Sequence, residues 1–171
     1  MKIIAFDAAH KRTGYAYRNG TRWVYGVFPI WDCGLIADVI SAAVADHVTH
    51  AVIEDPYCGM SVTTLKSLQD AASRIAQRCE DAGLLWAPIK AAEWHSAQGC
   101  TGKGKETKIK SMALARHLDA PPYLKEDEAD AVCLCDYAER NMEALAGRWR
   151  TRGGVVVILH DRPAGINRKE L

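Results

Sequence analysis

The dipeptide Asn19-Gly20 stands between two aromatic-rich runs, TGYAYR and TRWVYGVF, and it narrows what this chain can become more than any other feature. Asn-Gly between strand-like runs favours a two-residue hairpin, because both turn positions take positive φ. A third run of strand length, KIIAFDAA, precedes the pair, so the chain opens as three antiparallel strands.

The period then changes. Leu35, Ile36, Val39, Ile40, Ala43 and Val44 recur at helical spacing, and AVIED follows as a short buried strand that ends on Glu54 and Asp55. Asp55-Pro56-Tyr57-Cys58-Gly59 breaks that strand. Val62, Leu65, Leu68, Ala72, Ile75, Ala76 and Cys79 mark one face of a long helix, which Gly83 closes. LLWAPI reads as a fifth strand, AAEWHSAQ as a short helix and GCTGKGK as a loop. Two helices follow over about residues 106–118 and 126–146, parted by Ala120-Pro121-Pro122. The order βββαβαβ followed by helices predicts an α/β domain, a mixed five-stranded sheet flanked by helices, over residues 1–146. Residues 147–171 form a short basic C-terminal extension, either disordered or packed as an added strand through residues 155–159.

Composition closes off several classes. A chain of 171 residues with 49% hydrophobic and 25% charged residues is one globular domain, neither disordered nor fibrous. No apolar run approaches the roughly 18 residues of a spanning helix, and Asp7 falls where a signal peptide needs its apolar stretch, so the expected location is cytoplasmic and no membrane partner is expected. The six cysteines (Cys33, Cys58, Cys79, Cys100, Cys133, Cys135) are scattered and read as free thiols. Cys133 and Cys135, two apart on a helix, point about 200° away from each other and do not make a metal site.

The net charge of +1 conceals a division along the chain. Residues 90–116 carry six Lys or Arg against two acids and residues 140–171 carry seven against three, so each is +4 and the remainder is −7. Separate basic stretches beside an acidic remainder suit a polyanion such as nucleic acid; two solvated charged faces are the plainer alternative.

Four acids carry the chemistry. Asp7 ends IIAF and Glu54 ends AVI, and an acid that interrupts a buried apolar strand is costly without a partner. Asp127 and Asp130 lie three apart on one face of the last long helix, although the run KEDEAD also suits a helix start, where acids meet the positive end of the dipole. Converging carboxylates offer hard oxygen ligands for Mg²⁺, with Mn²⁺ as a substitute, and a bridging Asp can hold two such ions for in-line phosphodiester cleavage. Lys108 is the candidate to stabilise phosphate charge, with Lys103, Lys105 and Lys110 holding the backbone more loosely and Arg148, Arg150 and Arg152 ranked below them.

These residues resemble the RuvC-like Holliday junction resolvases of the RNase H-like superfamily over roughly residues 1–146, most of the chain. Asp7 with Thr13-Gly14 is similar to the family's first-strand motif, and Glu54 ends the fourth strand as the family's glutamate does. Gly102-x-Gly104 with Lys108 is similar to its basic loop and helix, and Asp127-Glu128-Ala129-Asp130-Ala131 to its closing motif. The family's Asp-Pro-Gly is here Asp7-Ala8-Ala9, and Ala97 stands where a basic residue is often found. The resemblance implies an RNase H-like fold, Asp7, Glu54, Asp127 and Asp130 as ligands of two Mg²⁺ ions, and a nucleoid-associated enzyme of cellular or phage origin. It also implies a homodimer, seamed along the helix that begins near Val62, that resolves four-way DNA junctions by paired symmetric nicks. Tyr57, in the loop beside the cut, is implied as an aromatic wedge at the crossover. Two other readings are a junction-binding protein of this fold without catalysis, and an actin-like phosphate-binding ATPase or kinase, which needs two such domains.

Overall fold

The computed structural model describes residues 1–9, 11–55 and 61–151, together with the backbone of 154–155. Tyr57 and Cys58, Arg152, and the tail beyond Val155 lie outside the described residues.

Strands β1 (Ile3–Ala8), β2 (Arg12–Asn19) and β3 (Arg22–Pro29) form the expected antiparallel meander. Its hairpin is displaced by one residue: Asn19 pairs with Arg22, so the loop is Gly20-Thr21. Gly20, at φ 63°, supplies the positive φ, and Asn19 stays in the ladder. Helix α1 (Cys33–Ala45) starts where the Asp32 side chain accepts from the Leu35 amide, and it returns the chain to β4 (His50–Asp55), parallel to β1. Helix α2 (Val62–Asp81) crosses over to β5 (Leu85–Lys90), parallel to β4. Short α3 (Ala91–Ala97), then α4 (Lys105–His117) and α5 (Glu126–Arg140), complete the expected elements.

Two features depart from the sequence reading. The last long helix stops at Arg140 and restarts as α6 (Met142–Leu145), because Asn141 leaves helical geometry and its side-chain amide takes the Tyr137 carbonyl at 2.8 Å. The sheet also exceeds five strands: two-residue strands β6 (Arg150–Thr151) and β7 (Gly154–Val155) extend it beside β5, giving the order β3-β2-β1-β4-β5-β6-β7. The start of the basic extension is thus part of the sheet. Trp149 is buried with its ring 4.6 Å from His50, and Arg148 binds Glu93 at 2.6 Å and the Pro88 carbonyl.

Period-two alternation divides the core between the faces of the sheet. Ile4, Phe6, Ala51 and Ile53 pack with Ile36, Ile40 and Ile75 of α1 and α2. Ile3, Ala5 and Val52 pack against α5, whose residues Glu128–Ala138 are all buried. Asp7, two residues beyond Ala5, and Glu54, two beyond Val52, fall by the same alternation on the α5 side. The five described cysteines are unbridged, and Cys133 and Cys135 point apart, toward the Ser111 and Ile3 carbonyls. No described helix is long and apolar enough to cross a membrane.

Candidate functional site

The parallel pairing of β1 with β4, Phe6 opposite Ile53, sets Asp7 level with Glu54 on neighbouring strands. Helix α5 begins above them. Gly14, which pairs with Asp7 across β1 and β2, admits its first turn: a Cβ there would collide with the Asp127 backbone. With Glu128 accepting from the Lys125 amide at 2.7 Å, the helix start is capped by Glu128 and the Asp127 carboxylate is left for other partners. Those partners are Arg12, 3.0 Å away, and Lys108, 4.0 Å away. Asp130, one turn on, is buried and receives the Lys108 ammonium at 2.7 Å.

Asp7 senses the other three acids. Burial, followed by the charges of Glu54, Asp130 and Asp127, holds the Asp7 carboxyl well above the usual carboxylate range, with Lys108 pulling the other way. Burial also pushes Glu54 up to about 7, assisted by Asp130 and opposed by Lys108 and by the hydrogen bond from the Trp94 indole, 3.0 Å from Glu54 Oε2. For Lys108, desolvation is outweighed by Asp130, Asp7 and Asp127, which raise its pKa. A site in which burial and like charges both favour the neutral carboxyls lacks positive charge.

The donors fit a hard divalent cation. They are like-charged carboxylates, Asp7 and Asp130 among them buried, and Asp130 Oδ1 is buried with no hydrogen-bond partner among the described residues. Among the described residues no three acidic, His or Cys side chains stand close enough to hold a metal ion as they are, and the ammonium of Lys108 serves as counter-charge.

Of the other candidates, Lys103 and Lys105 are exposed at the start of α4. Lys110 is engaged within its own segment, with Glu106 at 2.7 Å and the Thr101 carbonyl. Arg150 lies over the Trp86 ring at 5.2 Å. Sequence reading missed three residues. Trp94 reaches Glu54 because α3 starts directly after β5, which pairs Ile89 with Glu54. The His95 ring lies against Trp94, ring centres 3.9 Å apart and planes tilted by 55°; burial lowers its pKa, and Asp130 and Lys108 act on it in opposite directions. Arg12 was passed over although it follows the acid-bearing strand by one turn.

No family model matches this chain, and no curated protein sequence does. Solved structures do. A structure of Thermus thermophilus RuvC with Holliday junction substrate aligns at TM-score 0.67 and 10% identity, over 88% of this chain and 99% of that one. A second Thermus thermophilus RuvC structure aligns at 0.66 and 12% identity, over 88% of this chain and all of that one. The fold is RuvC-like. It is the RNase H-like arrangement of a mixed sheet with helices on both faces, and at such identity the likeness extends to the fold alone.

Proposed function

We propose that the chain is a metal-dependent, structure-selective endonuclease that resolves four-way DNA junctions by paired nicks. One observation carries the reading: the buried Asp7 of β1 feels the charges of Glu54 of β4 and of Asp127 and Asp130 of α5, with Lys108 between the last two, in a fold like that of a protein solved with a Holliday junction. Asp7, Glu54 and Asp130, with Asp127 at the rim, would hold Mg²⁺ or Mn²⁺, which supplies an activated water and charge stabilisation at phosphorus.

The protein's own groups do the rest. Trp94 fixes the Glu54 carboxylate by donating to Oε2, so one acid of the set is oriented before any ligand arrives. Lys108, held between Asp130 and Asp127, is placed to stabilise charge on the scissile phosphate. Lys103 and Lys105 project into solvent from the start of the same helix and would track the backbone without reading sequence. Two opposed nicks need two sites related by a two-fold axis, hence a homodimer, with the α2 side as its proposed seam. Tyr57 keeps its proposed place at the crossover.

The test is a four-way junction labelled on each strand in turn, incubated with and without Mg²⁺. Paired nicks at symmetric positions, lost in Asp7→Asn, support the reading. Tight junction binding with no nicking in Mg²⁺ or Mn²⁺ would make the chain a binding protein of this fold instead.

A further inference from the structure

Beside Asp127 a recess of about 630 Å³ is lined by Ala9, Lys11, Arg12, Trp31 and Asp127. Trp31 is 67% exposed, while Trp23, Trp94 and Trp149 are buried and Trp86 is half-buried, so it is the one exposed indole among five. An indole left in water without a partner is unusual, since its large apolar area is worth covering.

Its backbone is fixed although its ring is free. The Asp32 amide bonds the Pro29 carbonyl at 3.0 Å, and the Asp32 side chain caps α1 through the Leu35 amide at 2.9 Å. The Ile30 amide donates to the Lys11 carbonyl at 3.3 Å, tying the turn that carries Trp31 to Lys11 and to Arg12 at the start of β2. Lys11 and Arg12 are both exposed, and Arg12 reaches Asp127 at 3.0 Å. One recess thus joins a flat aromatic surface, two cations and an acid of the candidate site.

We propose that Trp31 is a stacking platform for a nucleobase of the bound DNA strand, with Lys11 and Arg12 taking the adjacent phosphates. The inference rests on the nuclease reading, because it places the strand across the carboxylates first. The occupant follows from charge: a ring flanked by two cations suits a π-face attached to phosphate, and single bases stack on aromatic side chains without regard to sequence. A purely apolar protein surface would desolvate the Lys11 ammonium and the Arg12–Asp127 pair and offer neither cation a new counter-charge. This platform lies on the β1–β2 and β3–α1 turns and is independent of Tyr57.

The test is equilibrium binding of the full chain to a fluorescein-labelled four-way junction in EDTA, where no cutting occurs, for wild type, Trp31→Ala, Trp31→Phe and Lys11→Ala. Trp31→Ala should weaken binding by about 5- to 150-fold, the contribution of one stacked base, and Trp31→Phe should keep most of the affinity. Lys11→Ala should lower the salt slope by about one. Acrylamide quenching of tryptophan emission, dominated by the one exposed indole, should fall when the junction binds. Unchanged affinity in Trp31→Ala together with unchanged quenching overturns the platform while leaving the nuclease reading intact. A wild-type chain that binds no branched DNA overturns both. A Trp31→Ala variant that loses its partner copy in sedimentation yet keeps its DNA affinity makes the ring a protein contact and overturns the platform too.

Discussion

Gly14 of β2 lies directly beneath the Asp127 backbone of α5: a Cβ built on that glycine would fall on the Asp127 carbonyl oxygen and stand 2.6 Å from its carbon. The glycine is not at positive φ; what it provides is room. Because Gly14 is also the ladder partner of Asp7, the position that admits the helix start is the one beside the acid of the first strand. Strand and helix acids are gathered by a missing side chain.

Gly14→Ala should therefore act on the site through α5. The helix start must shift or the strand must bend, which costs about 1–3 kcal/mol of stability, as overpacking does. A displacement of a few tenths of an ångström at Asp127 and Asp130 should lower nicking by about tenfold or more, since a 1 Å misplacement costs about 100-fold. Thermal melts and single-turnover nicking of the same preparation check both. A variant with wild-type nicking and a lowered melting temperature would show that the close approach serves packing alone.

The like-charged cluster predicts that losing an acid strengthens the metal-free fold. Asp7 is buried among Glu54, Asp130 and Asp127, and its carboxyl sits well above the usual range, so its ionised form is strained at neutral pH. Asp7→Asn removes that charge at nearly constant shape and should raise stability in EDTA by an amount on the order of 1 kcal/mol. Nicking should stop, and junction affinity in EDTA should stay equal or rise, because one negative charge beside phosphate is gone. Urea melts and binding in EDTA, set beside nicking in Mg²⁺, give the three readouts. Near wild-type cutting by Asp7→Asn sinks the carboxylate site.

Lys108 should behave in the opposite way. Lys108→Ala takes from Asp130 Oδ2 its hydrogen-bond donor among the described residues, leaving neither Asp130 oxygen with a partner among them, at a cost of about 1–3 kcal/mol. Nicking should fall about 100-fold or more if the ammonium stabilises developing charge. The double variant Lys108→Ala with Asp130→Asn separates the two effects: it should recover stability and recover no activity. A double variant as unstable as the single one would mean that the pair is not the source of the loss.

Much of this site was legible in the sequence, and the reason is the period of a buried strand. Asp7 and Glu54 interrupt apolar runs, and alternation alone sends them to the same side of the sheet as Ala5 and Val52. Asp127 was ambiguous because a helix start attracts acids; it took the Glu128 cap to assign that role to its neighbour. The hairpin was legible in kind and misread by one residue, since only the ladder between Asn19 and Arg22 fixes the register. Trp94 and Arg12 were not legible. Their partners Glu54 and Asp127 lie 40 and 115 residues away, and nothing local to a Trp in a short helix or an Arg after a turn announces a distant carboxylate. Trp149 was hidden in an Arg-rich tail whose composition suggested solvent.

The lysines at the start of α4 divide by what they touch. Lys103 and Lys105 are exposed, and their alanine variants should each reduce the salt dependence of junction binding by about one counterion. Lys110 is already paired with Glu106 and bonded to the Thr101 carbonyl, so Lys110→Ala should change the salt slope less than either. Binding isotherms at four salt concentrations decide it, and equal slopes for all three variants would count against a backbone track at this helix start.

His50 and Glu54 should act on the pH dependence of stability with opposite signs, and Asp7, whose carboxyl pKa burial also raises, acts in the same direction as Glu54. His50 is buried at the start of β4 against the Trp149 ring, and burial, aided by the N-terminal charge, lowers its pKa from 6.5 to about 4. The unfolded chain takes up this proton below pH 6.5 and the folded chain does not until about pH 4, so His50 costs stability as pH falls through that window, by about 1.4 kcal/mol per unit at most. Glu54 works against it. Its folded carboxyl titrates near 7 and its unfolded one near 4.5, so in the absence of metal protonation below pH 7 favours the folded state. In the absence of metal, Glu54→Gln should therefore lose stability more steeply than wild type as the pH falls from 7 to 4.5. His50→Phe, which keeps a ring against Trp149, should give the reverse, a stability that rises as the medium is acidified toward pH 4.5. Urea melts in EDTA at half-unit intervals measure all three curves, and parallel curves for wild type and His50→Phe would remove His50 from the account.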